Sequence, residues 1–439
     1  MSSTRPKVLL IAEMANPEWV SVPLEGWSHA KAISAETDAH LVTQLRNKEA
    51  IERTGWREGV EFTAIDSEFV AAPIHHANNW LRKVTGLGWT LTTALESLPY
   101  YAFEYKLWER FGPAIQAGAY DIVHRLTPLS PTMPSLIVAK RCEAAKVPFI
   151  WGPVNGGVPW PKGFHDVQHA EGEWLSYVRD AHKLLPGYRN TRKRASALIA
   201  GSMSAYEQFG DYLEKVVYIP ENAVATERFP EVTPTPAQGP MRVAFVGRLV
   251  PYKGADMLIR ASAALVKAGK LVVDIIGDGP EMPALRALRE AEGIESGVLL
   301  DGWVPHEKLQ SRLRQSQLFG FPSVREFGGA VVLEAMATGL VPIVVGYAGP
   351  NELVSDATGV RVAIGSRDEI VSRVRAALER FVADPTLVAE MGGRARGRAM
   401  SLFTWTAKAR QVREVYRWVL GERDKPNFGM PLPDAAPSG

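Results

Sequence analysis

Cysteine is almost absent from this chain: Cys142 stands alone among 439 residues. One thiol cannot close an internal disulfide, so burial and hydrogen bonding must hold the fold, as suits a reducing compartment. Neither sign of charge dominates, with 50 basic and 48 acidic side chains and a formal net charge of +2. That balance implies no bulk attraction to nucleic acid, and no nucleic-acid partner is expected. No apolar run reaches the roughly 20 residues a helix needs to span a bilayer. The apolar run of Lys7–Ala12 is too short for a secretory signal peptide and reads as a first strand. The expected location is therefore cytoplasmic, with room for peripheral contact at the inner face of a membrane. Cys/His spacings that suit zinc are missing, as is an Asp-x-Asp to seat a divalent cation on a diphosphate. No GxGxxG opens a helix after a strand, and no GxxxxGK[ST] occurs. Dinucleotide redox work and P-loop hydrolysis are set aside, and neither a metal nor a cofactor is expected.

What the chain does have is ordinary globular material, 46% hydrophobic and 22% charged, in a length that predicts two to three domains. Short apolar runs alternate with helical segments: Lys7–Ala12, His40–Thr43, Asp121–Leu126, Val147–Trp151, Ala195–Ala200 and Val216–Ile219 read as strands. Such alternation predicts βαβ units and a parallel sheet buried on both faces. Residues 230–240, Pro-rich and carrying only Glu231 as a charge, predict a linker. A second α/β series follows, with strands at Val243–Val246, Val272–Ile276, Val298–Leu300, Leu318–Phe321 and Val341–Val345. Phe403–Leu420 reads as a last helix with an apolar stripe at Val412, Val415, Tyr416 and Val419. The expected division is a first domain at 1–229, the linker, a second domain at 241–400, a crossover helix at 401–420 and a flexible tail at 421–439. Two stretches leave two readings open. Residues 66–115, rich in aromatics (Trp80, Trp89, Tyr100, Tyr101, Phe103, Tyr105, Trp108) beside His75, His76, Arg82 and Lys83, suit either helices packed on the sheet or an acceptor- or membrane-facing surface. The basic run at 173–195 suits a solvated helix face or a contact with anionic lipid.

The most informative stretch is 321–354. A strand ends at Phe321, a charged loop carries Arg325 to Gly329, a helix spans about Ala330 to Thr338, and Gly339 stops it. Glu326 lies in the loop and Glu334 in the helix, about 6 Å along the axis from its start. Free N–H groups and the dipole at that helix start favour an anion. A carboxylate to either side suits a ligand with phosphate in the middle and hydroxyls at both ends. Earlier in this half, Gly247-Arg248 and Lys253-Gly254 follow a strand, where two fixed cations can clamp a diphosphate. Gly277-Asp278-Gly279-Pro280 follows the next strand and lets a planar base lie close to the backbone.

The string PSVREFGGAVVLEAMATG, with its Glu-x7-Glu, resembles the signature of retaining glycosyltransferases of family 4, the "group 1" glycosyltransferases of GT-B fold. The resemblance covers 241–420 closely and the first half loosely. It implies two Rossmann-like parallel-sheet domains facing across a cleft, with the last helix crossing back to the first, nucleotide-sugar on the second domain and acceptor on the first. It assigns Arg248 and Lys253 to the leaving diphosphate, Glu326 to hydroxyls of the transferred sugar and Glu334 to the ribose. The backbone of Phe327, Gly328, Gly329 and Ala330 approaches sugar and diphosphate, Gly247, Gly277 and Gly279 shape the nucleotide site, and Gly26, the surviving glycine of the first loop, lets the backbone approach the donor phosphate. Trp303, at a strand end, either borders the base or packs. Two departures stand out: Glu326-Phe327-Gly328-Gly329 replaces the commonest Glu-Gly-Phe-Gly, and Leu126 replaces the second histidine of His-x-His-x-Pro, leaving His124 in the first position. The implied reaction is metal-independent transfer of a sugar from a nucleotide diphosphate sugar to an acceptor hydroxyl with retention, in polysaccharide or glycolipid assembly. The acceptor is then a saccharide or lipid-linked saccharide. A small soluble acceptor and a non-catalytic sugar-nucleotide-binding subunit are the alternatives.

Overall fold

The computed structural model describes residues 5–67, 89–156, 158–161, 163–164, 187–230 and 239–434. Its chain divides into two compact units. One holds the described parts of Met1–Gly157, Gly172–Glu221 and Trp405–Phe428; the other holds those of Val158–Glu171, Asn222–Thr404 and Gly429–Gly439.

The first unit is built on a sheet ordered β3-β2-β1-β4-β5-β6-β7, with β1 at Lys7–Ala12, β2 at Asp38–Gln44, β3 at Phe62–Ile65, β4 at Ile122–Thr127, β5 at Phe149–Val154, β6 at Ala197–Ala200 and β7 at Val216–Tyr218. Every pairing is parallel. The continuous apolar run of β1 has its cause here: Leu9 and Ile11 enter one core and Val8, Leu10 and Ala12 the other. Helix Trp89–Gln116 covers the first face with Tyr100, Phe103, Leu107 and Phe111. The aromatic stretch is therefore spent largely on the core where it is described, Tyr105 remaining exposed; Trp80, His75, His76, Arg82 and Lys83 lie outside the described residues, as does the basic run up to residue 186. The second face is covered by helices Val22–Glu36 and Trp405–Val419. The anticipated stripe holds, with Val412, Val415 and Tyr416 in the core and Val419 packed against it.

The second unit has a sheet ordered β10-β9-β8-β11-β12-β13, all parallel. Its strands are β8 at Met241–Val246, β9 at Leu271–Ile276, β10 at Val298–Gly302, β11 at Leu318–Phe321, β12 at Val341–Val345 and β13 at Val360–Val362. In each sheet the order reverses beside the first strand, between β1 and β4 and between β8 and β11. In open α/β sheets that reversal opens a crevice beyond the carboxyl ends of the strands.

Four sequence expectations change. Strands β3 and β13 had no sequence signal, because each is short and lies at a sheet edge. Residues 222–229 and the segment around Trp160 sit with the second unit, not the first. Up to Asp434 the tail is held: Leu432 is buried, and the buried Arg398 donates to Leu432 O at 2.6 Å and Pro433 O at 2.7 Å. A buried guanidinium needs acceptors, and the tail supplies them. Gly26, expected in a loop, lies inside helix Val22–Glu36, which begins with Pro23 in its first turn, where proline's missing N–H costs nothing.

Candidate active site

The reversal between β8 and β11 brings together the two loops that the sequence marks. After β8 come Gly247, Arg248 and the turn Pro251–Lys253, then Gly254 and helix Ala255–Lys267. Gly254 takes a positive φ of 77°, and a side chain there would collide with Pro322 O of the facing loop. That facing loop leaves β11 and is stitched to the turn: Val324 N donates to Tyr252 O at 2.9 Å, and the Ser323 hydroxyl lies 3.3 Å from the same oxygen. Arg367 braces the turn from outside through Pro251 O and the Asp256 carboxylate.

The central feature is an ion pair between Lys253 and Glu326, each side chain 17% exposed. The carboxylate balances a cation that a largely buried position would otherwise leave unpaired. Arg248, on the same loop, is exposed and makes no ion pair among the described residues.

Helix Ala330–Thr338 begins at Gly329, whose φ is 69°, and no side chain caps its first turn. Within that turn Val332 N donates to Gly329 O at 2.9 Å, and the start of such a helix favours an anion. Gly328 and Phe327 precede it, and Gly349 lets the next turn ride over them, since a Cβ there would meet Phe327 O at 2.3 Å. Phe327, where the commonest loop form has glycine, is partly exposed, and the Arg325 guanidinium lies over its ring at 5.2 Å. Glu334 is 13% exposed and pairs with Arg228 at 3.4 Å.

The turn after β9 has a tighter role than expected. Gly277 and Gly279 have φ of 145° and 159°, and side chains there would strike Gly247 O and Leu249 O. Leu249 N donates to Asp278 O at 2.9 Å, and Gly277 N to Gly302 O at 2.8 Å. These glycines lock the loops after β8, β9 and β10 to one another. Trp303, just after β10, is 73% exposed, so of its two readings packing is not realised. Ala330 opens the helix, half-buried.

Gly26 is corrected. It is inside a helix and buried, and a Cβ at this position would lie 2.1 Å from Met14 O and 2.9 Å from Thr127 Cγ2. Its missing side chain admits the helix onto the backbone of the first unit. His124 is a satisfied core residue: Nε2–H donates to Gly152 O at 2.7 Å and Nδ1 accepts from the Tyr416 hydroxyl at 2.6 Å. Burial holds its pKa down to about 4. Residues that sequence reasoning missed are Arg228, Tyr252, Arg325 and Trp160, which meet the motif loops only through tertiary contacts and have no motif of their own.

Residues 231–397 match the family model described as "Glycosyl transferases group 1". Among curated proteins the chain is similar to an alpha-D-kanosaminyltransferase of Streptomyces kanamyceticus, 31% identical over 40% of this chain and 45% of that one. It is also similar to a GDP-mannose-dependent phosphatidylinositol monomannoside mannosyltransferase of Mycolicibacterium smegmatis, 31% identical over 39% of this chain and 47% of that one. The chain spans less than half the length of the curated relatives it matches. Among solved structures it resembles the Anabaena protein Alr3699/HepE in complex with UDP, at TM-score 0.58, 16% identity, 93% coverage of this chain and 98% of that chain. Sucrose-phosphate synthase from Thermosynechococcus elongatus is similar at TM-score 0.59, 17% identity and coverage of 95% and 100%. These likenesses establish the fold as two Rossmann-like parallel-sheet domains of the GT-B kind.

Proposed function

We propose, for a chain whose residues 231–397 carry the group 1 glycosyltransferase domain, a retaining, metal-independent transfer of a sugar from a nucleotide diphosphate sugar to an acceptor hydroxyl. The observation that carries this reading is the Lys253–Glu326 pair at the strand-order reversal, beside a helix start that no side chain caps.

The chemistry follows from the charges. A diphosphate entering between the loops offers Lys253 and Arg248 a doubly charged partner and the first turn of helix Ala330–Thr338 an anion. Lys253 then shifts from Glu326 to the phosphate, and Glu326 is released to accept hydrogen bonds from hydroxyls of the transferred sugar. Charge grows on the leaving diphosphate as the glycosidic bond breaks, and donors already aimed at it need no reorganisation. The diphosphate oxygen takes the proton of the attacking hydroxyl on the same face, which retains the anomeric configuration. Glu334, steadied by Arg228, receives the ribose hydroxyls. Two protein cations stand where a metal would otherwise neutralise the diphosphate, so turnover should survive EDTA.

Similarity to proteins named for phosphatidylinositol acceptors supports a lipid-linked or saccharide acceptor, in glycolipid or polysaccharide assembly, with the protein in the cytoplasm and in peripheral contact with the membrane. Among the described residues no helix is long and apolar enough to cross a membrane. The reading is tested by melting the protein with a panel of UDP-, GDP- and ADP-linked sugars, where a donor at about 100 times its Kd adds about 2.7 kcal/mol. Turnover of the stabilising donor is then followed in EDTA, with the anomeric configuration of the product read by NMR. No stabilisation by any donor, or an inverted product, overturns it.

A further inference from the structure

One short segment from the first half of the sequence belongs to the second unit. Val158 and Phe164 are fully buried, and between them Trp160 lies edge-on to Tyr252, with ring centroids 5.9 Å apart at 89°. The Arg325 guanidinium sits 4.6 Å from the centre of the Trp160 ring and 5.2 Å from that of Phe327, so the cation lies between two aromatic rings. The segment is pinned by the Tyr347 hydroxyl, which donates to Pro159 O at 2.9 Å. Tyr252 immediately precedes Lys253, and Arg325 immediately precedes Glu326. A single indole therefore grips the sequence neighbour of each member of the central ion pair. None of the motifs explains why a tryptophan stands there.

We propose that Trp160 is a positioning residue of the donor site. It holds Tyr252 and Arg325 in register, and so sets the separation of Lys253 and Glu326 before a donor arrives. The inference rests on the reading of these loops as a nucleotide diphosphate sugar site. The stack has the stiffness this role requires, because an indole has few rotamers to freeze and a guanidinium between aromatic rings keeps a fixed plane. Without the indole, both loops keep their backbone hydrogen bonds, but the side-chain brace between them is lost. Donor affinity should suffer more than the chemical step.

The test uses the full chain with whichever sugar of the UDP, GDP and ADP panel stabilises it. Trp160→Ala should raise the donor KM about tenfold, with kcat within about threefold and the acceptor KM unchanged, the size expected for losing a partly desolvated cation–π contact. Trp160→Phe keeps a ring over Arg325 and should restore the donor KM to within about threefold. Combined with Arg325→Met, Trp160→Ala should add little further, because both act through one stack. Donor and acceptor constants for Trp160→Ala that match the unsubstituted chain would overturn the proposal while leaving the donor site intact. A general loss instead, with both KM values and the melting temperature disturbed and no rescue by phenylalanine, would reduce Trp160 to a packing residue. An unsubstituted chain that binds no sugar of the panel overturns the donor site, and this inference with it.

Discussion

Lys253 illustrates how much a single side chain is asked to do. In the structure it neutralises Glu326, and in the proposed reaction it moves to the departing diphosphate. Lys253→Ala should lower kcat by roughly 10²-fold or more, the usual loss on removing one donor to a developing oxyanion. It should also cost about 1–3 kcal/mol of stability, since the Glu326 it abandons is only 17% exposed and loses its partner. Steady-state turnover and a melting curve on the same preparation separate the two. Unchanged turnover in the folded variant would remove Lys253 from the mechanism. Gly26 shows the opposite case, a residue marked for the donor site whose surroundings are protein. Gly26→Ala places a methyl group 2.1 Å from Met14 O. Relieving such a clash costs about 1–3 kcal/mol, so the melting temperature should fall by several degrees. A stable Gly26→Ala variant with impaired donor binding would reverse this assignment.

At the scale of elements, the motif helix and the tail differ in how they are specified. Helix Ala330–Thr338 is bounded by glycines at both ends, each in the left-handed region, and those glycines were readable as punctuation. The tail beyond Gly429 has no periodicity, and its Pro/Gly content reads as disorder. Its order comes from Arg398, which is buried and needs carbonyl acceptors. Truncation before Gly429 should leave that guanidinium short of partners and cost about 1–3 kcal/mol. Chemical denaturation of the truncated chain checks this; an unchanged midpoint would mean the tail is merely lying on the surface.

For the molecule as a whole, pH is the lever that the buried histidines expose. Burial lowers His29 to about 3 and His124 to about 4, whereas in the unfolded chain both sit near ~6.5. The unfolded state then takes up protons first as pH falls. Stability is full above about pH 6.5 and is lost downward, at about 1.4 kcal/mol per pH unit for each histidine, until the folded pKa values are reached. Melting temperatures measured from pH 8 to pH 4 should hold level and then drop below about 6.5. A flat profile to pH 4.5 would contradict neutral, buried imidazoles.

By itself the sequence determined most of the sheet and one of the loops. Apolar runs buried on both faces leave no ambiguity about period, so β1, β11 and β12 were legible to their ends, and the Glu-x7-Glu string was legible because its helix start, its stop and its two carboxylates are local. Tertiary structure alone decided who meets whom. The pairing of Lys253 with Glu326 joins residues 73 positions apart, that of Arg228 with Glu334 spans 106, and Trp160 reaches Tyr252 and Arg325 from an earlier part of the chain. Such contacts depend on which strand lies beside which, a property of the order in which the sheet assembles. Gly26 carries the same point in reverse: glycine permits a close approach, but only the fold says whether a ligand or the chain's own backbone makes it.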